Sequence, residues 1–110
     1  MGAKVKAKPQ IQEAPRPLTR RVSRRPAFGL ALVQSNHGDR AKARLRDISA
    51  YGCNLVVDAT WLRLGLFVAI RPSSDRSIQA IVRWVRDGAC GVEFLRPITD
   101  AEAEAIGEGY

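Results

Sequence analysis

From residue 27 onward, apolar and polar residues alternate in short bursts separated by turn-forming residues. The first burst, residues 27–34, reads as a strand closed by the loop Ser35-Asn36-His37-Gly38-Asp39. In residues 41–46, Ala41, Ala43 and Leu45 take one side while Lys42, Arg44 and Arg46 take the other, the period-two pattern of a half-buried strand. Residues 53–57 and 66–71 predict a third and a fourth strand, and Pro72-Ser73-Ser74-Asp75 supplies turn chemistry. Residues 77–86 and 89–95 flank Asp87-Gly88, a pair suited to a two-residue type I′ hairpin because both residues tolerate positive φ. Six short strands with brief connections predict an all-β, six-stranded antiparallel barrel, since closure removes exposed strand edges. Residues 99–110 predict a short C-terminal helix and tail. Thr99 can cap it, with Glu102 three residues on completing a capping box, Asp100 suiting the helix dipole and Gly107 ending it.

Residues 1–19 break the pattern. They contain Pro9, Pro15 and Pro17 with almost no large apolar side chain, which predicts a flexible arm. The folded part then begins near residue 20, and 110 residues are enough for one domain that removes roughly two-thirds of its unfolded surface from water. Charge divides along the same line. Residues 1–25 hold eight basic side chains and one acid, whereas residues 26–110 hold ten of each, so the whole net charge of +7 lies at one end. Proteins that coat long nucleic acids spread basic residues over a folded face. A charged tail instead suits a compact anion, an acidic partner or a membrane surface.

No apolar run is long enough to span a bilayer; residues 64–70 are among the longest. The basic N-terminus has no apolar stretch behind it and so is no secretory signal. Gly2 lacks the Ser or Thr at position 6 that myristoylation wants, because Lys6 stands there. A cytoplasmic location is the expectation, and Cys53 and Cys90 read as small buried hydrophobes in a reducing compartment.

Catalytic constellations fail on spacing. The single histidine, His37, sits in a loop, while Ser49 and Asp47 share one turn that nothing brings to it. His37, Cys53 and Cys90 match no metal-ligand spacing, and neither phosphate-binding glycine fingerprint occurs. The chain is expected to be no enzyme and to hold neither metal nor cofactor. Trp84 and Phe94 fall in strands and read as core, and Trp61 as a cap on one end of the barrel.

Two motifs carry binding chemistry. In Asp47-Ile48-Ser49-Ala50-Tyr51-Gly52, Asp and Ser can fold back onto backbone N–H groups and Gly52 allows positive φ. Such a turn needs no function. However, a carboxylate and a hydroxyl two residues apart can point the same way, and a carboxylate can accept from the N–H groups of a guanine edge. In Arg20-Arg21-Val22-Ser23-Arg24-Arg25 there are two R-x-x-x-R pairs, Arg20 with Arg24 and Arg21 with Arg25. Guanidinium groups bond phosphate in bidentate fashion, stack on bases and read guanine O6 and N7.

The order and distance of these motifs, with 22 residues between Arg24 and Asp47, resemble the PilZ domain family. Arg24-Arg25-Pro26 is similar to the family's lead into its first strand. Val82-Arg83-Trp84-Val85-Arg86-Asp87-Gly88 followed by Gly91-Val92-Glu93-Phe94 is similar to its closing hairpin. The likeness spans residues 20–98. It implies a six-stranded barrel that binds cyclic di-GMP, with Arg20 and Arg24 clamping phosphate and guanine and Arg21 assisting. Asp47 and Ser49 would hold a guanine edge and adjacent backbone, and Gly52 would leave room for close approach. The duplicated arginines leave the register open between Arg20/Arg24 and Arg21/Arg25, with the first favoured by the step from Arg24 to Pro26. The resemblance also implies that ligand orders the arm and that an unidentified effector protein reads the change. Two alternatives stand beside it. One is a PilZ-type interaction module that binds no nucleotide. The other is a small basic barrel for single-stranded nucleic acid, served by the Lys42-x-Arg44-x-Arg46 row but opposed by the net-neutral barrel.

Overall fold

The computed structural model describes residues 25–108. Arg20, Arg21 and Arg24 lie outside them, and of Arg25 only the backbone is described. The strands are β1 (Arg25–Pro26), β2 (Leu30–Ser35), β3 (Arg40–Ile48), β4 (Gly52–Val56), β5 (Phe67–Ser73), β6 (Arg76–Arg86) and β7 (Ala89–Phe94), followed by helix α1 (Asp100–Gly107). All pairings are antiparallel, and β3 pairs with both β2 and β4. The order β3-β2-β5-β6-β7-β4 therefore closes on itself as the expected six-stranded barrel, with β1 continuing the line of β2 along β3. Inside, Val33, Leu45, Ile48, Cys53, Leu55, Val82 and Cys90 are almost wholly removed from water, the apolar burial that drives such a fold. Both cysteines are free and buried, and desolvation pushes the Cys90 thiol up to about 12. Phe94 is core as expected, and half-buried Trp61 packs against the core.

The first strand differs from expectation. Residues 27–34 are not one run. Ala27 N–H donates to the Arg46 carbonyl (3.0 Å) and Leu45 N–H to the Gly29 carbonyl (2.8 Å), which leaves Phe28 as an extra residue opposite β3. Such a β-bulge frees one backbone group from the ladder. Here Phe28 N–H is taken up by the carbonyl of Gly107 at the end of α1 (3.0 Å), and the ring projects outward, 78% exposed. β3 also runs two residues past the expected 41–46. Asp47 pairs with both Pro26 and Asn54, so it is a strand residue and not part of the turn.

The β6–β7 hairpin forms as the sequence predicts. Asp87 (φ 31°) and Gly88 (φ 77°) both take positive φ, and Arg86 pairs with Ala89. At α1, Thr99 Oγ1 accepts from Glu102 N–H at 3.0 Å. The Glu102 carboxylate goes to Arg76 Nε at 2.9 Å instead of back to the cap, pinning the helix to β6. Ala103 and Ile106 face the barrel. Gly107 does not stop the helix through positive φ. It lets the helix approach β3, since a Cβ there would stand 3.2 Å from Ile48 Cγ2. A Thr99→Ala variant is expected to lose about 1 kcal/mol, or roughly 4–8 °C in Tm for a domain of this size, by circular dichroism. An unchanged melt would show that Arg76–Glu102 alone holds the helix start.

Candidate functional site

Three strand registers build one outward-facing row. Asp47 of β3 lies opposite Asn54 of β4, Asn54 opposite Gly91 of β7, and Gly91 opposite Trp84 of β6. Residues directly opposite in antiparallel strands share a face, and neighbouring strands stand about 4.8 Å apart, so the row spans roughly 14 Å. Two bulges aim it. Between Leu45 and Asp47 the register with β4 slips, so Arg46 and Asp47 both turn outward while Leu45 and Ile48 stay in the core. Between Val82 and Trp84 the register with β7 slips in the same way. Val82 remains in the core and Trp84 is turned out, half-buried on the surface; this corrects the expectation that Trp84 is core.

Gly91 makes the row contiguous. A Cβ there would stand 2.6 Å from Asn54 Oδ1 and closer still to the Trp84 indole nitrogen, so only glycine lets the indole lie across β7 toward β4. Asn54 Nδ2 donates to both carboxylate oxygens of Asp47, each at 3.1 Å, and fixes the carboxylate's orientation. Around the row, Arg46, Asp47, Asn54, Trp84, Arg86, Asp87 and Ala89 line a groove of ≈ 390 Å³, within the usual size of a small-molecule site. Two guanidinium groups, a carboxylate held by an amide and an indole face thus converge. Such a set can pair with phosphate, accept from ring N–H groups and stack a base.

The turn that follows β3 is pinned from several sides. Ser49 N–H donates to the Gly52 carbonyl (2.9 Å), and Ser49 Oγ accepts from Tyr51 N–H (3.1 Å). Phe94 N–H donates to the Tyr51 carbonyl and Ile98 N–H to the Ala50 carbonyl. Ser49 is 2% exposed, so its hydroxyl belongs to the turn's own hydrogen bonding. Gly52 does not have the positive φ expected of it. Its reason is steric: a Cβ would press into the Val92 carbonyl oxygen of β7, with Glu93 Cα at 3.2 Å.

Asp47, Ser49 and Gly52 are therefore brought together at one end of the row, in distinct roles. Where Arg20, Arg21 and Arg24 stand lies outside the described residues. The chain from which they come joins the barrel at Pro26, directly opposite Asp47. The sequence pattern did not reveal Arg86, Trp84 or Asn54 as site residues, nor that Asp47 faces outward beside Arg46. Strict alternation from Ile78, Ala80 and Val82 would have put Trp84 inside, and nothing in the sequence marks the bulge. The only available signal was Gly91, a strand-interior glycine of the kind that marks close approach.

His37 lies in the β2–β3 loop, where its N–H donates to Ser35 Oγ, and among the described residues no group of three His, Cys, Asp or Glu side chains could hold a metal ion. Nor is any helix among them long and apolar enough to cross a membrane. A search of curated proteins finds no match to the chain. The PilZ domain model matches residues 19–109, which takes in the arginine segment, the whole barrel and α1, and the chain belongs to the PilZ domain family.

Proposed function

We propose that this PilZ domain is a receptor for the bacterial second messenger cyclic di-GMP and works by binding, without chemistry on its ligand and without a cofactor. One observation carries the reading: the arginine segment enters the barrel at Pro26, opposite Asp47 and at the head of the Asp47–Asn54–Gly91–Trp84 row. Arg20 and Arg24, with Arg21 assisting, clamp phosphate and guanine from one side. Asp47 accepts from a guanine edge, and the buried Ser49 acts through the shape of its turn. Gly52 keeps that turn close to β7. Arg46 and Arg86 add charge for the second phosphodiester, and the Trp84 indole offers a face for a base.

The turn is already fixed by its own hydrogen bonds, so binding need not order it. Ligand supplies the counter-charge that folds the arm onto the row, in a cytoplasmic setting, and an effector protein reads the new surface. A switch of this kind works through contacts that differ between two states.

Titration calorimetry with cyclic di-GMP, GMP and a single-stranded oligonucleotide tests the reading. Only the cyclic dinucleotide is expected to bind, with micromolar or tighter affinity, about −8 kcal/mol. Arg24→Ala should weaken it by about 1–3 kcal/mol, the scale of one bidentate contact, and leave the melting temperature of the free protein unchanged. Equal binding of all three ligands would assign the domain to nucleic acid, and binding of none would make it an interaction module. An unaffected Arg24→Ala variant beside a weakened Arg25→Ala variant would shift the arginine pair by one residue.

A further inference from the structure

Beside the groove, past Arg46, a second surface runs along the outer faces of β2, β3 and β5. Arg40, Lys42 and Arg44 occupy successive outward positions of β3 and are exposed, spaced about 7 Å apart as alternate strand residues must be. Opposite them on β2 stand Gln34, Leu32 and Leu30. On the other side of Leu32 is Arg71 of β5, which donates to the Ser74 carbonyl. Leu30 is 70% exposed, and the bulged Phe28 beside it 78%. Leu32 is thus flanked by a cation on each side and Leu30 by Arg44 on one. Among the described residues none of these four cations has an ion-pair partner.

We propose that this face docks the domain on an anionic phospholipid surface. Phe28 and Leu30 would enter the headgroup layer, while Lys42, Arg44 and Arg71 meet lipid phosphates and carboxylates. Three observations favour lipid over a protein partner. The charges that β3 and β5 set beside Leu30 and Leu32 are all positive, whereas protein interfaces are depleted of charge at their core. The outer wall of a closed barrel is convex. A rigid partner would have to match it over about 800 Å² per side, while a headgroup layer deforms to follow it. Finally, the eight basic residues of positions 1–25 are tethered three residues before Phe28, adding attraction to the same surface. An inserted apolar residue combined with a polybasic segment is the two-signal arrangement that reversible membrane attachment requires.

The inference stands apart from dinucleotide binding, so it is tested on the full chain without nucleotide. Flotation with phosphatidylcholine vesicles containing phosphatidylserine should recover the protein, pure phosphatidylcholine should not, and added salt should weaken recovery. Lys42→Gln with Arg44→Gln is expected to lower partitioning roughly twenty-fivefold, two cations at about fivefold each. Phe28→Ser with Leu30→Ser should also release the protein. Phe28, Leu30, Lys42 and Arg44 are all exposed, so melts of these variants should match the parent. Because Cys53 and Cys90 are buried, a Phe28→Cys variant can be labelled selectively with an environment-sensitive fluorophore, whose emission should rise on the anionic vesicles. Unchanged binding by both double variants would overturn the proposal by assigning the attraction to the arm alone. Failure to bind either vesicle would overturn it too. So would tighter binding of a single-stranded oligonucleotide that the same substitutions abolish.

Discussion

Gly52→Ala is expected to cost the fold a large part of its stability. The added Cβ would press into the Val92 carbonyl oxygen, with Glu93 Cα at 3.2 Å, and both belong to the backbone of β7. A side chain could swing away, but a ladder strand inside a closed barrel cannot do so without breaking its pairing with β4 or β6. Overpacking usually costs about 1–3 kcal/mol and occasionally more. With backbone as the obstacle, about 3 kcal/mol or more is expected, from a total of about 5–15 kcal/mol for a domain. At about 4–8 °C per kcal/mol, the midpoint should fall by at least roughly 12 °C. Urea or thermal denaturation checks this, and a midpoint within two or three degrees of the parent would show that the β4–β7 contact is softer than its geometry implies. The last glycine of the D-x-S-x-x-G turn is on this account a requirement of the barrel, whatever the ligand.

Gly91→Ala should do the opposite. The new methyl group meets the indole of Trp84 and Asn54 Oδ1, which are side-chain atoms at the surface with solvent to move into. The barrel should survive, with Tm lowered only slightly. Trp84, however, must lift off β7, and Asn54 must loosen its hold on Asp47. Affinity for cyclic di-GMP is therefore expected to drop at least about tenfold, a change of about 1.4 kcal/mol, and tryptophan emission should shift to the red. A shifted emission with unchanged affinity would remove the row from the binding site while leaving the barrel description intact. The two glycines sit on paired strands, yet one should report on stability and the other on binding.

The sequence was legible where alternation ran unbroken. Six strands, the Asp87-Gly88 turn and the Thr99 cap all follow from period-two patterning and local turn chemistry, and the structure has them. Legibility failed at each bulge, because an extra residue reverses the inside–outside assignment of everything beyond it. Trp84 was misplaced for that reason, and the same slip in β3 hid that Arg46 and Asp47 face the same way. Residues 27–34 looked like one strand because the partner for the stray Phe28 N–H, the Gly107 carbonyl, is 79 positions away and outside any local pattern. In the candidate site, Asp47, Ser49 and Gly52 could be named from their spacing. The burial of Ser49, and the reason Gly52 must be glycine, depend on β7 and the segment before α1, which a local motif does not contain.

The hydrogen bond from Phe28 to Gly107 also ties the two ends of the folded unit together. The chain enters the barrel beside Pro26 and leaves it at Gly107, where the space for a Cβ is bounded by the Pro26 carbonyl oxygen at 3.7 Å. A unit whose ends meet can be spliced into a surface loop of a host protein without prying that loop apart, and the gap is short enough for a brief linker to bridge it in a circular permutant. In such a fusion, the incoming and outgoing host segments would meet within a few ångströms of each other at Pro26 and Gly107.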